Sequence, residues 1–83
     1  MWIGPREHKV VGAMLAEARE RAGMKQQDLA KRLRKPQSFV SAYENGQRRI
    51  DVLEFIRIAT ALGANPRQVF AEIVSARAAR KHT

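Results

Sequence analysis

Lys25-Gln26-Gln27-Asp28-Leu29-Ala30-Lys31-Arg32-Leu33-Arg34-Lys35-Pro36-Gln37-Ser38-Phe39-Val40-Ser41-Ala42-Tyr43-Glu44-Asn45-Gly46 is the stretch whose reading decides the fold. Its apolar residues recur at helical rather than alternating spacing. Leu29, Ala30 and Leu33 mark the inner face of a helix near Gln26 to Leu33, and Val40 with Tyr43 marks that of another, from Pro36 or Gln37 to Glu44. Ala30 is small where two helices must approach closely. Asn45-Gly46 is a turn-forming pair that closes the later helix. The outer face of that helix carries Gln37, Ser38 and Ser41, and a face of small polar side chains has little reason to exist unless it meets a polar partner.

Outward from this stretch the chain keeps reading as helix. A first helix opens at Gly4-Pro5, since Pro suits the first helical turn, and stops at Gly23, a left-handed cap; Val11, Met14, Leu15, Ala18 and Ala22 form its buried stripe. Asp51 with Glu54 resembles a capping box, Asp replacing the usual Ser or Thr, and starts a fourth helix carrying Val52, Leu53, Phe55, Ile56, Ile58, Ala59 and Leu62. That helix is expected to be the main pillar of the core, ending at Gly63. Asn65-Pro66 then caps a fifth, with Val69, Phe70 and Ile73 inward. No strand survives this reading. The expectation is one all-α, compact five-helix domain over residues 1–83, with its core at about 6–74 and with 75–83 a helical extension or a frayed basic tail.

Composition sets the chemistry. The chain has 83 residues, 45% of them apolar, which suffices for a modest core; a domain this short buries only about 60% of its unfolded surface, so an oligomer would help. Sixteen Lys and Arg against eight Asp and Glu give a net charge of +8, which favours polyanions: nucleic acid first, an anionic membrane surface second. The lack of cysteine removes disulfides, thiolate zinc sites and thiol nucleophiles together and fits a reducing cytoplasm. Met1-Trp2-Ile3-Gly4-Pro5 is too short for a signal-peptide core, and no run approaches the roughly 18 apolar residues of a membrane span. A soluble cytoplasmic protein with no membrane partner is expected. Enzyme readings find little support: His8 and His82 stand near opposite ends, Ser38 and Ser41 lack an evident base, and neither metal-ligand spacing nor a Gly-rich phosphate loop occurs. No cofactor or metal is expected.

From Met14 to Ile73 the chain resembles the phage-repressor type of helix-turn-helix proteins, the Cro/cI-like or XRE-like family of bacterial transcriptional regulators. The resemblance rests on Gln26, Leu29-Ala30, Leu33, Gln37-Ser38, Val40-Ser41, Glu44-Asn45-Gly46 and Ile58-Ala59-x-Ala61-Leu62-Gly63, and covers nearly three-quarters of the chain. Each element is common alone; their joint order and spacing are what make the match specific. Two positions depart from the family. Arg34 stands in the turn where Gly is preferred for a left-handed backbone, and Pro36 replaces a common Ser cap.

The resemblance implies that the third helix enters the major groove of double-stranded DNA, where the base edges distinguish all four base pairs. Gln37 and Ser38, at its amino end, are placed to read bases, and a Gln amide matches adenine N6/N7 in a bidentate contact. Ser41 and Ala42 are further contacts, Ala42 suited to a thymine methyl, though both also read as exposed filler. Phe39 stays open between packing on thymine methyls or sugar edges and partial burial against helix two. Gln26 is implied to touch a phosphate and to hydrogen-bond Gln37, with the helix N-terminus already favouring an anion. Lys25 replaces the usual Ser, Thr or Asn cap there, losing about 1 kcal/mol of capping while adding charge. Arg48 and Arg49, after the Asn45-Gly46 turn, are the leading remaining phosphate candidates, together with Asn45, while Lys35 and Arg34 rank behind them; ordinary solvated charge is the alternative for each basic residue. Arg19 and Glu44 match a family salt bridge with a structural role.

Three function classes compete. The leading reading is a sequence-specific DNA-binding regulator, a repressor, acting as a homodimer on two half-sites about one helical turn apart. The homodimer would form through helix five or the N-terminus around Trp2-Ile3. The alternative is the DNA-binding antitoxin of a toxin-antitoxin pair, with a toxin protein partner. The third is an interaction or membrane-surface module whose charge is nonspecific.

Overall fold

The computed structural model describes residues 5–81, with side chains over 7–76; Trp2-Ile3 and His82 lie outside the described residues. Five helices and no strand make up that span: α1 (Pro5–Arg21), α2 (Gln26–Leu33), α3 (Gln37–Glu44), α4 (Val52–Ala61) and α5 (Pro66–Lys81). The all-α expectation holds, and the helix boundaries fall where the turn residues put them. Among the described residues no helix is long and apolar enough to cross a membrane.

The α2–α3 turn is built by local backbone chemistry. Arg34 adopts the left-handed conformation, with φ 57°, that the family fills with Gly. Its N–H donates to the Lys31 carbonyl at 3.1 Å, and that of Lys35 donates to Ala30 at 3.0 Å. This paired bond satisfies carbonyls that the end of α2 would otherwise leave unpaired. Pro36 follows in extended backbone as the residue capping α3, so the helix begins at Gln37. At the other end of the motif, Asp51 accepts from the Glu54 N–H at 2.7 Å while Glu54 accepts from the Asp51 N–H at 3.0 Å, completing the expected capping box.

The buried set is shared by all five helices. Leu15 and Ala18 of α1, Leu29, Ala30 and Leu33 of α2, Val40 and Tyr43 of α3, Ile58 of α4 with Leu62 just beyond it, and Val69 and Ile73 of α5 form one cluster. Gly12 sets how α1 meets α3. A Cβ there would collide with the carbonyl oxygen of Tyr43 and come within 2.8 Å of that of Glu44, so only a residue without a side chain lets α1 lie directly on the end of α3.

Four expectations about burial are corrected. On α1, Val10 is buried, Val11 and Met14 are half-buried, and Ala22 is exposed because it lies beyond the last helical residue. Helix α4 is not the main pillar: it buries only Ile58 and Ala59, Phe55 being half-buried, while Val52 is 74% and Leu53 72% exposed. It packs chiefly against α2 and α5, so an apolar residue on a face turned from both is left uncovered by the described residues. Ile56 is exposed for the same reason. Phe70 is 59% exposed rather than inward; Val69 and Ile73 share a face four residues apart, and Phe70 is turned about 100° away from Val69. Its ring meets that of Phe55 edge-on, with 6.3 Å between centroids.

Candidate nucleic-acid interface

Helix α3 is held from below and open on its outer side. Val40 and Tyr43 are fully buried, and the helical period then carries Gln37 and Ser38 into solvent, with Ser41 and Ala42 half-buried beside them. Burial pushes the Tyr43 phenol well above its ordinary value, so it stays neutral and serves as packing. Gln37 sits in the first turn, where the backbone N–H groups have no intrahelical acceptor and partial positive charge collects.

Gln37 is not free to rotate at random. Its Nε2 donates to Gln26 Oε1 at 3.3 Å, linking the starts of α2 and α3. Gln26 in turn donates from Nε2 to Glu44 Oε1 at 2.9 Å. Glu44 is gripped from α1 by Arg19, whose Nε donates to Oε2 at 2.8 Å and whose Nη2 donates to Oε1 at 3.1 Å. The side chains are only 13% and 5% exposed. Arg19 also donates to the Met24 carbonyl at 2.7 Å, and the Glu44 hydrogen bond holds its guanidinium pKa above the ordinary value. The pairing expected for Arg19 and Glu44 is present. What sequence reasoning missed is the third donor on Glu44.

Phe39 leans inward. It is half-buried against the core and meets Tyr43 edge-on, with centroids 5.5 Å apart. The Arg48 guanidinium lies 4.6 Å from its ring centroid and the Lys35 ammonium 5.6 Å, both within cation–π range. Lys35 and Phe39, with Leu33, Glu54, Arg57 and Ile58, line a shallow pocket between α2, α3 and α4.

The cations expected near phosphates therefore differ. Arg49 and Arg34 are exposed. Lys25 is exposed at the residue capping α2; an ammonium has no lone pair to offer as a cap, and only the reciprocal bond forms, the Lys25 N–H donating to Asp28 Oδ2 at 3.0 Å. Asn45, which caps the end of α3, donates from Nδ2 to Ser41 Oγ at 3.4 Å. Arg48 is already engaged: its two amino groups donate to Glu54 Oε1 and Oε2 at 3.1 and 2.8 Å, and Nη1 reaches the Arg49 carbonyl at 2.8 Å. That pair holds the Glu54 carboxyl below its usual range. Nothing in helical periodicity marks it, because Arg48 lies in the loop before α4. Among the described residues no cluster of three or more His, Cys, Asp or Glu could hold a metal ion.

The profile of the helix-turn-helix family matches residues 15–69. Among solved structures, the chain is similar to an XRE-family like protein from Pseudomonas syringae pv. tomato str. DC3000, at 38% identity over 84% of this chain and 85% of that one, with a TM-score of 0.75. It is also similar to the restriction-modification controller protein C.AhdI from Aeromonas hydrophila, at 31% identity over 77% of this chain and 97% of that one, TM-score 0.71. The clp gene regulator ClgR from Corynebacterium glutamicum aligns at 25% identity over 83% and 90% of the two chains, TM-score 0.78. No curated protein gives a significant match.

Proposed function

Because the chain belongs to the helix-turn-helix family of XRE-type DNA-binding transcriptional regulators, we propose that it is a sequence-specific repressor that inserts α3 into the major groove of double-stranded DNA. The observation that carries this is Gln37, exposed at the start of α3 and held by Gln26 from the start of α2. One amide hydrogen of Gln37 is spent on Gln26; the other and the carbonyl oxygen are left for a ligand, the pair that adenine N7 and N6 require, worth about 1–3 kcal/mol of discrimination. Ser38 reads the neighbouring base edge, with Ser41 and Ala42 allowing close approach. Phe39 braces α3 and stays out of direct readout. Gln26, Lys25, Asn45, Lys35 and Arg49 hold phosphates, at about 4–8 contacts in total counting backbone amides, so affinity falls steeply with salt. The regulator names carried by the C.AhdI and ClgR relatives support a role at promoters.

One short recognition helix reads few bases, so two copies act together. The surface that supports a homodimer lies on α4 and α5, where Leu53, Ile56, Phe70 and Val74 are exposed together with Val52 and the Phe55–Phe70 contact joins the two helices. A second copy covering that apolar face is the dimer we propose, and dimers of this motif read two half-sites about one helical turn apart.

Selection from random-sequence DNA at moderate salt tests the reading. An enriched, repeated half-site is expected. Gln37→Ala relaxes one position of it, while Arg49→Ala weakens all sequences alike and lowers the salt slope by about 1. Selection without an enriched motif would replace this reading with a nonspecific polyanion-binding module.

A further inference from the structure

Glu44 lies at the end of α3 opposite Gln37, with its side chain only 5% exposed, and touches no surface that DNA could reach directly. Its carboxylate nonetheless takes three donors: two from Arg19 and one from Gln26. An ionised carboxylate accepts and never donates. The end of the Gln26 amide that faces it must therefore be the NH2. Turning that amide over would set oxygen against oxygen in a nearly dry site and leave the carboxylate short of a donor.

The consequence passes to the next side chain. With its NH2 on Glu44, Gln26 offers its oxygen toward α3, and Gln37 answers with Nε2 at 3.3 Å. Gln37 is left presenting one N–H and its carbonyl oxygen. Were the relay reversed, Gln37 would give its oxygen to Gln26 and present two hydrogens outward. A donor beside an acceptor fits adenine, whose major-groove edge carries N7 and the N6 amino group; donors alone fit guanine, whose edge carries N7 and O6.

We propose that Glu44 is a specificity-determining positioning residue, which through Gln26 fixes the sense of the Gln37 amide so that the position it reads is adenine and not guanine. Arg19 contributes by aiming the carboxylate, since its rigid guanidinium fork donates to both carboxylate oxygens. The inference rests on the assignment of Gln37 to base readout.

The test is competition binding with duplexes carrying A·T, G·C, T·A or C·G at the position assigned to Gln37 by the selection, for wild type, Gln26→Leu, Glu44→Gln and Gln37→Ala. Gln26→Leu keeps the Arg19–Glu44 pair and so does not put folding at stake. It loses overall affinity through its phosphate contact, and the A-over-G ratio at that one position falls from about tenfold or more toward unity while ratios at other positions hold. Glu44→Gln, checked for helicity by circular dichroism, shows the same loss confined to the same position. If Gln26→Leu lowers affinity equally for all four duplexes and leaves the A-over-G ratio at the wild-type value, the relay is structural only and the proposal fails. In that case Gln37→Ala still relaxes the position, and the readout assignment stands. If Gln37→Ala itself leaves every ratio unchanged, the readout assignment fails and the proposal with it.

Discussion

At Arg48 two anions compete for one guanidinium. Glu54 holds it through two bonds and stacking on Phe39 restrains it further, yet the same arginine was expected at a phosphate because it follows the α3 turn. Glu54→Gln separates the two roles. Gln can still accept from the Asp51 N–H and so keeps the capping box, while the charge that competes with phosphate is gone. The expected outcome is a several-fold gain in DNA affinity at low salt and a salt slope steeper by about 1, read by fluorescence anisotropy across a salt series; unchanged slope and affinity would show that Arg48 never reaches a phosphate. The pair also carries a pH signature. Glu54 has a depressed pKa when folded, so its contribution is present above the unfolded glutamate value of about 4.3 and is lost as pH falls through the lower, folded value. The stability gap between wild type and Glu54→Gln, measured by urea melts, should be open at pH 7 and should narrow as the pH falls below the unfolded glutamate value. It should be small, because the pair is solvent-accessible and screened.

At the scale of elements, the α2–α3 turn carries an avoidable strain. Arg34 at φ 57° costs about 1–2 kcal/mol relative to a residue without Cβ, and Gly would return about 0.4–1 kcal/mol of that through a freer unfolded chain. Arg34→Gly should stabilise by roughly 0.5–1 kcal/mol, which for a domain of this size raises Tm by a few degrees. Calorimetry checks it, and a lowered Tm would mean that the arginine side chain makes up for its backbone. The turn also shows which features of an element are visible in advance. Helix starts at Gln26, Gln37 and Val52, and the caps at Asp51 and Asn45, follow from bonds made within a few residues, so local spacing discloses them. Burial on α4 does not follow the same way: Val52, Leu53 and Ile56 look as apolar as Ile58, and only the position of neighbouring helices separates them.

For the whole molecule, that separation becomes a statement about assembly. The apolar side chains of α4 and α5 that point away from the core make an exposed face of the kind that marks a contact with another protein. Phe70→Lys should leave the fold intact, because the position is already 59% exposed, and should shift the species seen in sedimentation equilibrium from dimer to monomer, lowering affinity for paired half-sites more than for one. A monomer for wild type, both free and on DNA, would remove the homodimer reading. The basic charge, the five helices, the helix-turn-helix spacing and the exposure of Gln37 and Ser38 were all determined by the sequence alone, since each depends on composition or on a repeat of a few residues. Tertiary structure alone decided that Phe39 braces α3, that Arg48 is held by Glu54, and that Glu44 collects donors from residues 18 and 25 positions away in the chain. The Arg48–Glu54 pair depends on how the loop before α4 lays Arg48 back over that helix's first turn. The Glu44 contacts exist only once α1, α2 and α3 have closed on a common core, because no local rule brings together groups so far apart along the backbone.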